Sequence, residues 1–429
     1  MQTLWQKSEA LPRFPRLTGD IRTDVLVIGG GMAGLLTAYS LSQKGIQTVL
    51  VEQGRICSGT TAGTTAKITA QHGLVYHKLL HSFGKEYARL YYRTNAEAVE
   101  DLKKLCKKAD CPLEEKDNFV YSEDPRKIEK ELDALQKIGV GAKHQQSLPI
   151  PVSGEAVGFE NQGQFHPLQL AAFLAKDLTI YENTRVTEMI GTTAVTERGK
   201  IRAKKVVVTT HFPFLNKHGS YFLKLYQHRS YVLALEGAPL PDAMYVSDSK
   251  KGFSFSSFGD FLLLGGGGHR TGKQGGSYPA LREFRAQHYP TAQERFAWAA
   301  QDTMSLDSVP YIGNYSKNTP DLYVATGFNK WGMTGSMVSA TILSRILSGE
   351  DTDDAFLFSP SRSILKPQLF LNGAESAVNL LWPATRRCPH LGCALHYNKQ
   401  EHSWDCACHG SRFSEDGKVL NNPANKDLK

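Results

Sequence analysis

The C-terminal part of the 429-residue chain carries four of its seven cysteines within twenty-one residues, beside two histidines. The first loop has the sequence Cys388-Pro-His390-Leu-Gly-Cys393, and the second has Cys406-Ala-Cys408-His409-Gly-Ser411. Seven cysteines are too few for a disulfide framework in a chain of this length, so the clustering indicates a metal site. Residues 394–404 then form a predicted hairpin that brings the two loops together.

Both loops offer one thiol and one imidazole, from Cys388, His390, Cys406 and His409. Two thiolates on one iron and two imidazoles on the other make the ligand set of a Rieske 2Fe-2S cluster. Tetrahedral zinc accepts the same four donors. Zinc spacings do not predict the additional Cys393 and Cys408, so the pattern favours the iron-sulfur cluster.

The two loops resemble those of Rieske proteins. This resemblance implies a disulfide between Cys393 and Cys408 that clamps the loops over the cluster, and it places Pro423 in a proline loop on the third side. It also implies that Ser411 donates a hydrogen bond to a bridging sulfide. Phe413 stands where high-potential Rieske loops carry a tyrosine, so one sulfur hydrogen bond is expected to be missing.

The predicted Rieske domain is short, because little strand sequence lies between Lys366 and Cys388 and the chain ends at Lys429. We therefore expect its base sheet to be abbreviated or completed by the rest of the chain.

A glycine-rich turn near the N-terminus indicates a dinucleotide site. Gly29-Gly-Gly31-Met-Ala-Gly34 follows the apolar run Val25–Ile28 and opens a predicted helix, Met32 to Lys44. The glycines allow a tight turn, a close approach of the backbone to a pyrophosphate, and close packing of helix on strand. Glu52 ends the second predicted strand, where it is placed to accept a hydrogen bond from a ribose hydroxyl.

Three further segments resemble the D-amino acid oxidase superfamily of flavoenzymes, over roughly residues 20 to 350. They are Gly59 to Lys67, Val206 to Thr210, and Gly327 to Thr334. With the Rieske loops, the whole arrangement is similar to a bacterial family of FAD-dependent oxidoreductases with a C-terminal Rieske domain. The resemblance implies FAD and places the helix after Gly327–Thr334 with its N-terminus at the flavin ring, although sarcosine oxidases have a lysine at the position of Thr334. The FAD-binding residues it implies are Gly29, Gly31, Met32, Ala33, Gly34, Glu52, Gln53, Gly59, Thr60, Thr65, Ala66, Val186, Thr209, Gly327, Gly332, Met333 and Thr334.

The expected fold class is α/β. It comprises an FAD-binding Rossmann-like domain of the glutathione-reductase type, an interleaved antiparallel-sheet substrate domain and a small all-β Rieske domain. We expect residues 1–350 to form the oxidoreductase. Its FAD part is about 20–75, 155–215 and 305–350, and its substrate part is about 76–154 and 216–304. Residues 351–370 are the predicted linker, and 371–429 the Rieske domain.

Four residues of the predicted substrate sheet are candidates for catalysis or substrate binding: Arg229, Tyr231, His269 and Arg270. An arginine fork is a common way to hold a carboxylate, although each arginine could equally be structural. The run Gly265–Gly268 precedes the last two. A close approach of backbone to flavin or substrate explains it better than a second phosphate loop does.

Two histidine features have alternative interpretations. His77 and His81 have the spacing of helix-borne iron ligands, as in a Rieske oxygenase, but a solvated helix face also explains them. His72 could attach flavin covalently, or it could be an ordinary hydrogen-bonding histidine.

The preferred function is a dehydrogenase that oxidises a small substrate, an amine or amino acid, by hydride transfer to FAD and passes electrons to the cluster. Flavins convert two-electron into one-electron chemistry, which explains a cluster on the same chain. The alternatives are an oxidase that uses oxygen directly, with a structural or redox-sensing Rieske module, and an electron-transfer reductase without organic substrate.

The expected partners are a small-molecule substrate and a one-electron acceptor, either a protein or a quinone. The net charge is +8, but the basic residues are scattered, so nucleic-acid binding is not expected. The first apolar run is too short to be a signal or a membrane span, and the expected location is the cytoplasm.

Overall fold

The computed structural model describes residues 2–215, 218–249, 251–352 and 354–428. Its helices are α1 (Leu4–Ser8), α2 (Met32–Gln43), α3 (Tyr76–Phe83), α4 (Lys85–Lys108), α5 (Pro125–Ile138), α6 (Pro167–Ala175), α7 (Tyr221–Lys224), α8 (Ser277–His288), α9 (Gly332–Ser348), α10 (Ala355–Phe358) and α11 (Pro367–Leu381). Its strands are β1 (Ile21–Ile28), β2 (Thr48–Val51), β3 (Lys67–Ile68), β4 (Leu113–Ser122), β5 (Lys143–Gln145), β6 (Glu155–Phe165), β7 (Thr179–Tyr181), β8 (Val186–Ile190), β9 (Thr193–Thr196), β10 (Gly199–Val208), β11 (Leu225–Glu236), β12 (Met244–Ser247), β13 (Ser254–Phe258), β14 (Phe261–Arg270), β15 (Gln293–Ser305), β16 (Tyr311–Asn314), β17 (Leu322–Thr326), β18 (Leu395–Asn398), β19 (Ser403–Cys406), β20 (Arg412–Ser414) and β21 (Val419–Asn421). Among these described helices, none combines the length and the apolar character that crossing a membrane requires.

A mostly parallel sheet has the strand order β16-β17-β10-β1-β2-β7, with β8 and β9 attached beside β10. β1 pairs in parallel with both β2 and β10, so the carboxyl ends of these three strands meet at one edge. The run Val25–Ile28 is buried throughout, as expected of a parallel strand covered on both faces. α2 begins at that edge, four residues after β1 ends.

A second, mostly antiparallel sheet has the order β15-β11-β14-β13-β12-β4-β6-β3, with β5 beside β6. Its strands come mainly from residues 113–165 and 225–305. β3 and β6 belong to this sheet, although they lie in ranges that the sequence assigns to the FAD part.

The helical segment between β3 and β6 is shaped by local sequence signals. In α5, the Asp124 side chain accepts a hydrogen bond from the Arg126 amide, Pro125 occupies the first turn, and Gly139 ends the helix at φ +76°.

The C-terminal strands β18 to β21 form a small antiparallel sheet. The predicted fold class is therefore confirmed. α11 precedes this sheet and runs across the predicted boundary at residue 370 between the linker and the Rieske domain. The sequence predicts little strand here and does not predict the helix.

Candidate functional site

A cavity of about 630 Å³ opens at the edge where β1, β2 and β10 end, and it extends to β11 and β14. Its wall includes the strand ends Ile28, Val51 and Thr209. Residues of the C-terminal domain, Leu420 and Asn422 among them, close one side. Of the seventeen residues that the sequence assigned to FAD, thirteen line this cavity: Gly29, Gly31, Met32, Ala33, Glu52, Gln53, Gly59, Thr60, Thr65, Val186, Thr209, Gly332 and Met333.

The glycines of the turn are required for different physical reasons. Gly29 has φ +112°, a backbone conformation that side chains with a Cβ rarely adopt. A Cβ at Gly34 would collide with the carbonyl oxygen of Gly29, whereas a Cβ at Gly31 would meet only Thr61 Oγ1, at 3.5 Å. Packing therefore requires glycine at 34, while at 31 the missing side chain leaves room on the cavity side for a diphosphate.

Glu52 lies at the end of β2 with its carboxylate held by backbone amides. Its Oε2 accepts a hydrogen bond from Gly30 N (2.7 Å), and its Oε1 accepts one from Gly54 N (2.9 Å). Burial raises the pKa of Glu52, and the two amide hydrogen bonds oppose that shift. A fixed acceptor at this strand end is what a ribose hydroxyl requires.

The four other residues assigned to FAD, Gly34, Ala66, Gly327 and Thr334, are outside the cavity lining. Thr334 Oγ1 donates to Thr69 O (3.0 Å) and accepts from Thr69 N (3.1 Å). This side chain therefore ties the start of α9 to residue 69.

Three polar side chains in the cavity were not singled out by the sequence analysis. Lys330 Nζ donates to Ser230 Oγ (2.8 Å), and Ser230 Oγ donates to Asp302 Oδ2 (3.3 Å). Lys330 lies inside the segment 327–334, which the resemblance places beside the flavin ring. That placement could have identified Lys330 as a cavity residue from the sequence.

A second lysine, Lys67, lies buried at the cavity. Its Nζ donates to Thr65 Oγ1 (3.0 Å). Burial, with a smaller contribution from Lys116, lowers the pKa of Lys67 to about 7. A large fraction of Lys67 is therefore neutral at physiological pH.

The predicted catalytic residues lie together, but against the C-terminal domain. Arg229 Nε donates to Glu401 Oε1 (3.0 Å), and Tyr231 OH donates to the same oxygen (3.0 Å). His269 Nε2 lies 3.0 Å from Tyr231 OH. Tyr231 also borders the cavity. Glu401 lies in the predicted hairpin between the loops, and no pattern in the sequence linked it to Arg229.

Arg270 contacts the second cysteine-histidine loop. Its Nε donates to Ala407 O (2.9 Å) and its Nη2 to Cys408 O (3.1 Å), while Nη1 donates to Asn372 Oδ1 (2.9 Å). A Cβ at Gly272 would collide with Ala407 N, so the two backbones lie in direct contact.

The structure brings the two cysteine-histidine loops together, with Cys388, Cys406 and His409 buried and His390 partly exposed. Cys393 and Cys408 form a disulfide with a Cα–Cα distance of 6.7 Å, as the resemblance implied. The neighbouring Cys406 thiol is the main cause that lowers the pKa of the Cys388 thiol to about 7.

The two histidines of the loops lie close together. The rings of His390 and His409 are 5.0 Å apart between centroids. His409 Nδ1 is buried and has no hydrogen-bond partner among the described residues. Burial lowers the pKa of His409 to about 3, so the ring is neutral, the form that ligates metal. Two thiols and two neutral imidazoles fit a 2Fe-2S cluster.

The second loop also packs directly behind the cavity, on residues such as Phe212 and Gln301 whose neighbours in sequence line it. The His409 ring lies between Phe212 and Phe222, with centroid distances of 6.5 and 6.3 Å. Gln301 Nε2 donates to Gly410 O (2.9 Å). Asn422 Nδ2 donates to Thr210 O (2.8 Å) and Phe212 O (2.7 Å), which joins the proline loop to the end of β10.

Ser411 and Phe413 lie beside the cluster loops. Ser411 Oγ accepts a hydrogen bond from Ala424 N (3.0 Å), next to Pro423, and its hydroxyl also hydrogen-bonds the Cys388 thiol. Phe413 is fully buried against the cysteines.

The remaining sequence features have structural roles. Gly267 has φ +60°, and its Cβ would collide with the Ser277 backbone. His77 Nδ1 contacts Glu131 Oε2 (2.8 Å). His72 uses both ring nitrogens, towards Tyr91 OH and Thr69 O (2.8 Å each).

Comparisons with known proteins agree with this geometry. Residues 24–346 match the family model "FAD dependent oxidoreductase", and residues 381–429 match "Rieske [2Fe-2S] domain". The Rieske 2Fe-2S iron-sulfur protein YhfW of Bacillus subtilis is 33% identical, over 100% of this chain and 97% of its own length. The gamma-glutamylputrescine oxidoreductase of Escherichia coli is 22% identical, over 81% of this chain and 89% of its own.

Among solved structures, glycine oxidase from Geobacillus kaustophilus superposes with a TM-score of 0.68 at 19% identity, over 80% of this chain and 99% of that chain. L-proline dehydrogenase from P. horikoshii superposes with a TM-score of 0.66 at 18% identity, over 81% and 98%. These likenesses establish the fold. The chain belongs to the FAD dependent oxidoreductase family, with a C-terminal Rieske [2Fe-2S] domain, and its two cofactors are FAD and a 2Fe-2S cluster.

Proposed function

We propose that the protein is a dehydrogenase of a small amine or amino acid, in which bound FAD accepts a hydride and the Rieske cluster takes the electrons onward. One observation carries this proposal: the second cluster loop, residues 406–410, packs against Phe212, Gln227 and Gln301, each of which is next in sequence to residues that line the flavin cavity. A module that served only as an appendage would have no need of such contact.

Side chains of β14 and β15 hold the second cluster loop in place. Arg270 binds the carbonyls of Ala407 and Cys408, and Gln301 binds that of Gly410. We propose Cys388, His390, Cys406 and His409 as the cluster ligands.

In this proposal, four residues position the Rieske domain for electron transfer and do not contact the substrate: Arg229, Tyr231, His269 and Arg270. Arg229 and Arg270 are committed to Glu401 and to loop carbonyls, so neither is available as a fork for a substrate carboxylate.

Lys330 and Asp302 are the proposed substrate contacts. The cavity presents a cation and a carboxylate joined through Ser230. Lys330 would donate to a substrate carboxylate, and Asp302 would accept from an ammonium group. The relatives named for glycine, L-proline and gamma-glutamylputrescine support an amine or amino acid as the substrate class.

The test is a stopped-flow comparison of parent and His390→Ala holoenzyme, after anaerobic screening of amines and amino acids for flavin bleaching. We expect His390→Ala to keep substrate-driven flavin reduction and to lose turnover with a one-electron acceptor. His81→Ala, at an exposed histidine of α3, is the matched control and should change neither.

Turnover of His390→Ala with the one-electron acceptor at the parental rate would contradict the proposal. If the parent prefers oxygen and the variant matches it with oxygen, the oxidase alternative is correct.

A further inference from the structure

Helix α11 is oriented with its polar residues towards the protein. Asn372 and Asn379 are 5% and 3% exposed. Asn372 Oδ1 accepts from Arg270, Asn379 Oδ1 lies 2.7 Å from His396 Nε2, and Glu375 pairs with Lys273 at 2.8 Å. These contacts fix the rotation of the helix, so its opposite face must point outward.

The outward face of α11 is apolar. Phe370, Leu371, Val378 and Leu381 fall on one stripe, and they are 70%, 62%, 53% and 84% exposed. Just beyond the two helix ends, Leu365 and Trp382 are 75% and 53% exposed. A surface helix of a water-soluble protein normally shows the reverse pattern, with polar residues outward. A contiguous exposed apolar patch of this kind marks an interaction surface.

The charges around the patch are positive. Residues 365–391 contain a single carboxylate, that of Glu375, and it is already paired with Lys273. Lys366 precedes the helix, and the exposed Arg386 and Arg387 follow it. Neither arginine pairs with a carboxylate among the described residues.

We propose that residues 365–387, the docking surface, bind the face of a lipid bilayer that contains anionic phospholipids, with α11 lying in the plane of the interface. An apolar face with tryptophan at one end and cations at both ends is the composition of interfacial helices. Fifteen residues are fewer than the roughly 20 that a spanning helix needs.

A second copy of the chain fits this surface less well. A two-fold interface places the same patch on both subunits, so it would gather Lys366, Arg386 and Arg387 of both copies in one interface. Residues 365–387 supply no exposed carboxylate to offset them, and Asp427, which shares a surface pocket with both arginines, is already paired with Lys418.

Docking would place the first cluster loop beside the bilayer. Arg387 Nη1 donates to both Leu380 O (3.0 Å) and Gly392 O (2.9 Å), so it joins the end of α11 to that loop. Leu391, in the same loop, is 43% exposed. The electron exit would then lie at the membrane surface whatever the substrate.

The test is cosedimentation of the holoenzyme with vesicles of phosphatidylcholine, with and without 30% phosphatidylglycerol. The parent is expected to bind the anionic vesicles, more weakly as salt rises. The double variant Phe370→Asp/Leu381→Asp is expected to bind at least tenfold less. Ile190→Asp, which replaces a 60% exposed apolar residue on β8, is the matched control and should bind like the parent.

Flavin and cluster absorption must be unchanged in each variant, which shows that α11 and its neighbours remain folded. Absence of parental binding would overturn the proposal. Equal binding to neutral vesicles would overturn the role of the cations. A parent dimer that the double variant converts to monomers, without vesicle binding, would assign the surface to a second copy.

Discussion

Arg229 and Glu401 form a two-point ion pair that joins β11 of the antiparallel sheet to the hairpin of the Rieske domain. Arg229 Nε lies 3.0 Å from Glu401 Oε1, and Nη2 pairs with Oε2. The two side chains are only 4% and 13% exposed. Arg412 Nη2 contacts the second oxygen of Glu401 at 2.9 Å, so one carboxylate faces two guanidinium groups.

This arrangement makes Glu401 one of several connections between the two modules, beside those made by Arg270, Gln301 and Asn422. Its burial raises the carboxyl pKa, but the charges of Arg229 and Arg412 outweigh burial and hold the pKa of Glu401 below its usual value. Glu401 is therefore ionised at neutral pH.

Replacing Glu401 by Gln should destabilise the attachment of the Rieske domain. The change leaves buried Arg229 without a carboxylate partner, which typically costs about 3–5 kcal/mol, whereas Arg412 keeps Asp405 at 2.9 Å. The loss in the free energy of unfolding is measured by urea titration, with cluster absorption as the signal. Glu294→Gln, in the more exposed Arg282–Glu294 pair, is the control and should cost about 0–1 kcal/mol. Equal effects of the two changes would show that Glu401 does not hold the domains together.

Alanine substitutions at two glycines of the turn should have different effects on folding and on FAD binding. Gly34→Ala places a Cβ against the Gly29 carbonyl, so we expect misfolded protein. Gly31→Ala meets only Thr61 Oγ1, at 3.5 Å, and should fold but bind FAD at least tenfold more weakly, because its methyl group enters the cavity. Circular dichroism and FAD titration separate the two outcomes. Parental FAD affinity in Gly31→Ala would place the diphosphate elsewhere.

The sequence predicted what depends on local pattern. The turn around Gly29 to Gly34 and the acidic strand end at Glu52 follow from backbone geometry and periodicity, which a single segment contains. The Cys393–Cys408 disulfide followed from a resemblance over a short pair of loops, and the structure confirms it.

Contacts between distant segments were not predictable in this way. Arg229 looks the same in sequence whether it faces a substrate or Glu401, 172 residues away. The orientation of α11 depends on the hydrogen bond between Asn372 and Arg270, which lies on β14. The sequence of residues 367–381 does not indicate that partner.

Lys67 should give the stability of the FAD-free protein a pH dependence. Its pKa is about 7 in the folded protein, mainly because of burial, against about 10.4 in an unfolded chain. Between these values the unfolded state binds more protons, so stability should rise with pH by up to about 1.4 kcal/mol per unit. Below pH 7 the destabilisation by Lys67 is complete and constant.

Lys67→Met should therefore unfold at higher temperature than the parent near pH 6, and the difference should shrink towards pH 10. Thermal unfolding at several pH values measures this. Lys204→Met, at an 81% exposed lysine paired with Asp24, should leave the pH profile unchanged. A Lys67→Met difference that stays constant from pH 6 to 10 would show that Lys67 is charged throughout.

The last prediction concerns the cluster potential. Hydrogen bonds to cluster sulfurs stabilise the additional negative charge of the reduced state, so each one raises the potential. Because Ser411 Oγ accepts from Ala424 N, its own hydrogen is free to point at the sulfur of Cys388. Phe413 is fully buried among the same cysteines but has no hydrogen to donate. Ser411→Ala should therefore lower the midpoint potential and Phe413→Tyr raise it, in a redox titration followed by EPR.

Ser414→Ala is the matched control for this pair of variants. Ser414 Oγ pairs with Asp416 and accepts a hydrogen bond from Lys418 N at 2.9 Å, on the outer side of the sheet, so its loss should leave the potential unchanged. If Ser411→Ala and Phe413→Tyr also leave it unchanged, neither side chain reaches the sulfurs. The potential would then be determined by the histidine ligands and by the burial that Phe212 and Phe222 provide around His409, because a cluster shielded from water holds the charge of its reduced state less well.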